Sequence, residues 1–71
     1  MTAREVLDDY FLETRARLLE IAANLDRLDR AAGAAELAGD PRLGFIREAL
    51  GILQSRKSDR AARIQILYSK Q

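Results

Sequence analysis

Asp9, Glu13, Arg17 and Glu20 recur at helical spacing near the start of the chain and are the most site-like polar group in it. Asp9 and Glu13, four residues apart, set two like charges side by side on a helix, which is mildly unfavourable unless something compensates. Arg17, one turn beyond Glu13, is placed to do so. The chemical reading of this group is a carboxylate metal binder, with Asp9, Glu13 and Glu20 as oxygen ligands for a hard ion such as magnesium. Carboxylate-bridged metal pairs in helical bundles also draw a Glu-x-x-His motif from two helices, and the chain has no histidine. A solvated or ion-paired helix face is the preferred reading, and no metal or cofactor is expected.

Other chemistry finds less support. Without cysteine or histidine there is no thiolate site, no disulfide and no imidazole base. Ser55, Ser58 and Ser69 therefore lack a base to activate them, and no glycine-rich phosphate loop or nucleophile elbow is present. Catalysis is not expected.

Charge is unevenly spread although the net value is +1. Residues 1 to 32 hold seven acids against five arginines, giving −2, whereas residues 54 to 71 hold Arg56, Lys57, Arg60, Arg63 and Lys70 against Asp59 alone, giving +4. A nucleic-acid-associated protein using this basic C-terminal segment is one alternative reading. No recognition-helix or RNA-binding signature accompanies the basic residues, so surface charge and dipole complement are preferred and a nucleic-acid partner is not expected.

The elements that must carry these residues are helices. Leu7, Phe11, Thr14, Leu18, Ile21, Leu25, Leu28 and Ala32 follow one another at alternating steps of four and three, the heptad seam of a helix packed lengthwise against others. Thr2 with Glu5 three residues on is a capping box, and Arg27 and Arg30 complement the far end of the dipole. A first helix is predicted over residues 3 to 32. Thr14, inside the seam, is read as a register device or a hydroxyl bonded back to the preceding turn. Asp26 with Arg30 is spaced as a favourable i, i+4 pair. Gly33 to Asp40 is the connection, with a short helical turn near Ala34 to Ala38. Asp40 followed by Pro41 starts a second helix, predicted over residues 41 to 56, because aspartate accepts unsatisfied N–H groups and proline at the first position sacrifices none. Leu43, Ile46, Leu50 and Leu53 form its main stripe, while Gly44 and Gly51 weaken it or permit close approach. A break at Ser55 to Asp59 precedes a third helix over residues 59 to 69, capped by Ser58 and carrying Ala61, Ile64, Leu67 and Tyr68 on one face.

Seventy-one residues make one small domain, near the size at which a single chain struggles to bury a sufficient core. Apolar residues at 48% and charged residues at 32% describe a folding chain rather than a disordered one. The apolar runs are too short to span a membrane, and the acidic N-terminal stretch is unlike a signal peptide, so a cytoplasmic protein without membrane association is expected.

Helix lengths suggest the architecture. At 1.5 Å per residue the first helix is ~45 Å long and the other two come to roughly 23 and 17 Å, so laid end to end they nearly match it. The predicted fold is all-α: a helical hairpin of one long helix and a broken two-helix return arm, assembling into a helical bundle. Assembly is expected because the first helix carries a second apolar stripe, Leu12, Ala16, Leu19 and Ala23, more than 100° around from the first. Phe45, Ala49 and Ile52 repeat that excess on the second helix. One partner helix cannot cover two stripes, so a homo-oligomer, most simply a two-fold dimer, is expected. Its core and self-association residues are Leu7, Phe11, Leu12, Leu18, Leu19, Ile21, Leu25, Leu28, Phe45, Ile46, Leu50 and Leu53. Leu18, Ile21 and Leu25, at the middle of the seam, are expected to be fully buried. The function this implies is a small self-associating interaction or scaffold protein, binding its own copy or another protein.

Overall fold

The computed structural model describes residues 1–70 of the chain. Among them the regular structure is helical throughout: α1 spans Ala3–Arg30, a 3₁₀-helix spans Ala34–Leu37, α2 spans Pro41–Gln54 and α3 spans Arg60–Ser69. The fold class is thus all-α. The chain divides into two compact units, Met1–Ala34 and Ala35–Gln71.

The first unit is essentially one helix, and its start is built as the sequence implies. Thr2 Oγ1 accepts the Glu5 backbone N–H at 3.2 Å, and Glu5 Oε1 accepts the Thr2 N–H at 3.3 Å, so the capping box closes in both directions. Two donors that a helix start would leave unpaired are satisfied. Thr14 Oγ1 donates to the Tyr10 carbonyl at 2.8 Å, the bond back to the preceding turn that its position implies. α1 ends at Arg30, slightly before the predicted Ala32. Ala31 leaves the helical region at ψ 151°, while its N–H still donates to the Arg27 and Leu28 carbonyls. Gly33, at φ 82°, then takes a conformation that glycine alone adopts without a Cβ penalty.

The second unit is a helical hairpin. Asp40 Oδ1 accepts the Arg42 backbone N–H at 2.9 Å and caps α2, with Pro41 in the first turn as predicted. α2 stops at Gln54 rather than residue 56. Its two internal glycines meet nothing: a Cβ built on Gly44 or Gly51 has no neighbour within 4 Å, so within the chain they do not serve close approach. α2 and α3 pack against each other. Phe45 near the start of α2 stacks edge-on against Tyr68 near the end of α3, with ring centroids 5.5 Å apart and planes at 67°, so the two helices run antiparallel. α2 and α3 are therefore folded back on each other, and the end-to-end arrangement inferred from their lengths is corrected. Two short amphipathic helices cover more apolar surface side by side than in line.

The cap assigned to Ser58 is also corrected. α3 begins at Arg60 with Asp59 in the cap position, at φ −108° and ψ 27°, and no side chain makes a capping bond there. The break is held instead from Ser55. Its N–H and hydroxyl both donate to the Ile52 carbonyl, at 3.0 and 2.7 Å, and its own carbonyl accepts from Arg60 Nε at 2.8 Å. Arg63 Nη1 donates to Ser55 Oγ at 3.1 Å. Two arginines from the first turn of α3 thus reach back to the end of α2, where the negative end of the helix dipole favours them.

Candidate functional site

Every residue of α1 from Ala3 to Glu20 is exposed, including the apolar ones. In the heptad seam, Leu7, Phe11, Leu18 and Ile21 are open to solvent, with Leu18 at 53% and Ile21 at 37% exposure; Leu25 and Leu28 are half-buried. The expectation that Leu18, Ile21 and Leu25 are fully buried therefore fails for the single chain. A unit consisting of one helix has no second apolar surface to offer them. In the second stripe Leu12 is 74% and Leu19 54% exposed. Leucines seven residues apart on a helix lie ~10 Å apart along its axis, a spacing suited to knobs entering a neighbour's holes.

The second unit supplies the concave surface. Between α2 and α3 lies a cleft of about 570 Å³ lined by Phe45, Leu53, Ala61, Ile64 and Tyr68, with Arg60 among its polar members. A smaller hollow of about 440 Å³ is lined by Phe45 and Tyr68 together with Arg42 and Ser69. Phe45, Ile46 and Leu50 are half-buried and Leu53 is exposed. No side chain among the described residues is fully buried.

The carboxylate group reads as a surface face. Arg17 Nη2 lies 2.7 Å from Glu13 Oε1, the compensation that the spacing of Asp9, Glu13 and Arg17 called for, and this hydrogen bond raises the Arg17 guanidinium above its ordinary pKa. Among the described residues no group of three or more carboxylates comes together in a way that could hold a metal ion. Asp26 and Arg30 form no ion pair among the described residues; Arg27 instead donates to Asn24 Oδ1 at 2.7 Å. Exposed pairs compete with full solvation of both partners and gain little by closing.

Arg60 and Arg63, two of the five basic residues of the C-terminal segment, are partly buried and turned onto Ser55. Arg63 Nη1 also lies 3.9 Å from Asp59 Oδ1. The Asp40 carboxylate takes the Arg42 guanidinium as a fork, Nε to Oδ1 at 3.0 Å and Nη2 to Oδ2 at 2.8 Å. These side-chain bonds and the backbone bond from Arg42 lower the Asp40 pKa to about 2.

Sequence reasoning missed Ser55 and its two arginines. The only signal was a serine at the end of an apolar pattern with arginines five and eight residues later, and that spacing becomes a contact only when the chain reverses between them. It also missed the Phe45 and Tyr68 pairing, because each was assigned to a stripe without a partner. Among the described residues no helix is long and apolar enough to cross a membrane. Comparison of the chain with protein families, characterised proteins and solved structures gives no match, so its own surfaces are the basis for a functional reading.

Proposed function

We propose that the protein is a small self-associating α-helical interaction or scaffold module of the cytoplasm, without catalysis of its own, whose working form is a homo-oligomer, most simply a two-fold dimer. The observation that carries this is the open second stripe of α1: Leu12 and Leu19 are 74% and 54% exposed on a helix that already has a separate heptad seam. Scattered surface leucines are common, but two continuous stripes on one helix present an apolar surface that water covers at a cost of about 25 cal/mol per Å². Association removes that cost. The alanines of the same stripe, Ala16 and Ala23, let another backbone approach closely.

Light scattering or sedimentation across micromolar to millimolar concentration tests the proposal. Association predicts a mass above the 8.0 kDa of one chain and a melting temperature that rises with concentration. Leu19→Glu should dissociate the assembly by placing charge in a desolvated contact, while Arg27→Glu near the helix end should disturb it much less. A mass of 8.0 kDa throughout, with a concentration-independent melting point, would overturn it.

A further inference from the structure

Resting on the self-association proposed above, we infer which surface the second stripe of α1 meets: the cleft between α2 and α3 of another copy, so that the dimer is built by reciprocal exchange of helix into groove. The two surfaces are alike in being apolar and open to solvent. Leu12 and Leu19 project from a convex helix, and the cleft is concave, about 570 Å³, and apolar along Phe45, Leu53, Ala61, Ile64 and Tyr68. Leucine knobs in an aromatic and aliphatic groove are a recurring mode of helix recognition.

Charge makes the match specific. Through residue 14 the chain holds Glu5, Asp8, Asp9 and Glu13 against Arg4, a side-chain charge of −3, or −2 once Glu13 is set aside with its partner Arg17. Residues 55 to 65, which form the break and the first turns of α3, hold Arg56, Lys57, Arg60 and Arg63 against Asp59, giving +3. A pairing of the second stripe with another α1 offers no such complement, because residues 15 to 30 carry Arg15, Arg17, Arg27 and Arg30 against Glu20, Asp26 and Asp29, only +1. Opposed fields of this kind select the partner surface and the direction of docking.

Arg60 supplies the local anchor. It lines the cleft, and its Nε is fixed by the Ser55 carbonyl at 2.8 Å. Its terminal amino groups have no hydrogen-bond partner among the described residues, so the guanidinium is held in place with donors to spare. Asp8 and Asp9 lie four and three positions before Leu12, so when Leu12 enters the cleft a carboxylate stands one helical turn away from it. A pre-positioned arginine loses little side-chain freedom on meeting a carboxylate and binds it by charge-assisted hydrogen bonds.

The absence of cysteine in the chain permits a direct test by disulfide trapping. Full-length Ala16→Cys, in the second stripe, is mixed with full-length Gln65→Cys, on the cleft wall, and oxidised under mild conditions. The expected product is the mixed disulfide dimer, in excess of either symmetric dimer by roughly tenfold or more, since thiols held together react at an effective concentration near the millimolar range. Circular dichroism of each single variant before oxidation checks that the helices persist. A predominant Ala16→Cys symmetric dimer would mean that the stripe meets another α1, overturning this inference while self-association stands. In a chain carrying both Ala16→Cys and Gln65→Cys, closure within one chain at the expense of the dimer would overturn the exchange between copies. A dimer by mass that gives no mixed disulfide would overturn the groove alone, and an 8.0 kDa mass with no disulfide would overturn both proposals.

Discussion

α1 and the α2 to α3 hairpin reach helical structure by different routes. α1 has 28 residues, well beyond the ~12 to 15 below which isolated helices are marginal in water, and it carries a closed capping box and a complemented dipole. α2 and α3, at 14 and 10 residues, lie at or below that length. They persist because they pack on each other and because Ser55, Arg60 and Arg63 tie their adjoining ends. The long helix is therefore locally specified and apolar on its outside, while the hairpin is specified by tertiary contact. On the association proposed above, a partner for α1 would cover its stripes rather than make it helical.

The largest effect that separates the two regions is expected at Leu19. If association buries the second stripe, Leu19→Ala should cost the assembled protein roughly 2 to 5 kcal/mol in urea unfolding at high concentration. A change below about 1 kcal/mol would show that this face stays in water.

Caps sharpen the comparison next. Thr2→Ala removes an acceptor that α1 uses and should cost about 1 kcal/mol. Ser58→Ala removes nothing that α3 uses and should change stability by less than about 0.5 kcal/mol. Equal costs at the two sites would mean that the start of α3 is capped after all.

Within the hairpin, Phe45→Leu and Tyr68→Leu should not be additive. A double-mutant cycle should return a coupling of about 0.5 to 1.5 kcal/mol for the edge-on pair. That coupling should already be present at concentrations where the chain is monomeric, since both rings belong to one chain. A coupling near zero would put the hairpin contact in doubt.

The smallest expected effect is that of acid on the cap of α2. The folded pKa of Asp40 is lowered to about 2 from an ordinary 3.8, so its contribution is fully present above about pH 4 and is lost as pH falls through 2. Hydrogen exchange or NMR should show the first turn of α2 fraying across that window, and Asp40→Asn, which keeps a capping oxygen without a titrating charge, should abolish the pH dependence. Fraying that sets in well above pH 4 would assign the loss to another group.

Legibility from the sequence followed the range of each interaction. The capping box at Thr2 and Glu5, the Asp40 and Pro41 start, the Thr14 back-bond and the Arg17 pairing with Glu13 all join residues two to four apart, and all were readable. Ser58 was misassigned because a serine before an acid resembles a cap, and only the observed backbone at Asp59, with no capping bond, decides otherwise. The hairpin was misread as two helices in line because helix length constrains span but not direction. For the candidate surfaces, the stripes of α1 were legible as periodicity, whereas the cleft was not, since its walls come from residues as far apart as Phe45 and Tyr68.

The sequence by itself determined that this protein is helical, where α1 and α2 begin, that the chain breaks after the second helix, and that α1 is apolar on two sides. These are consequences of hydrogen bonds and side-chain periodicities that act within one or two turns. Only the tertiary structure decided that α2 and α3 turn back on each other, that Ser55 collects Arg60 and Arg63, and that Phe45 meets Tyr68 above an open cleft. Those contacts depend on the direction the chain takes at residues 55 to 59, where no periodic pattern exists to read. That direction is settled by which apolar surfaces find each other, a choice made in space and not along the chain.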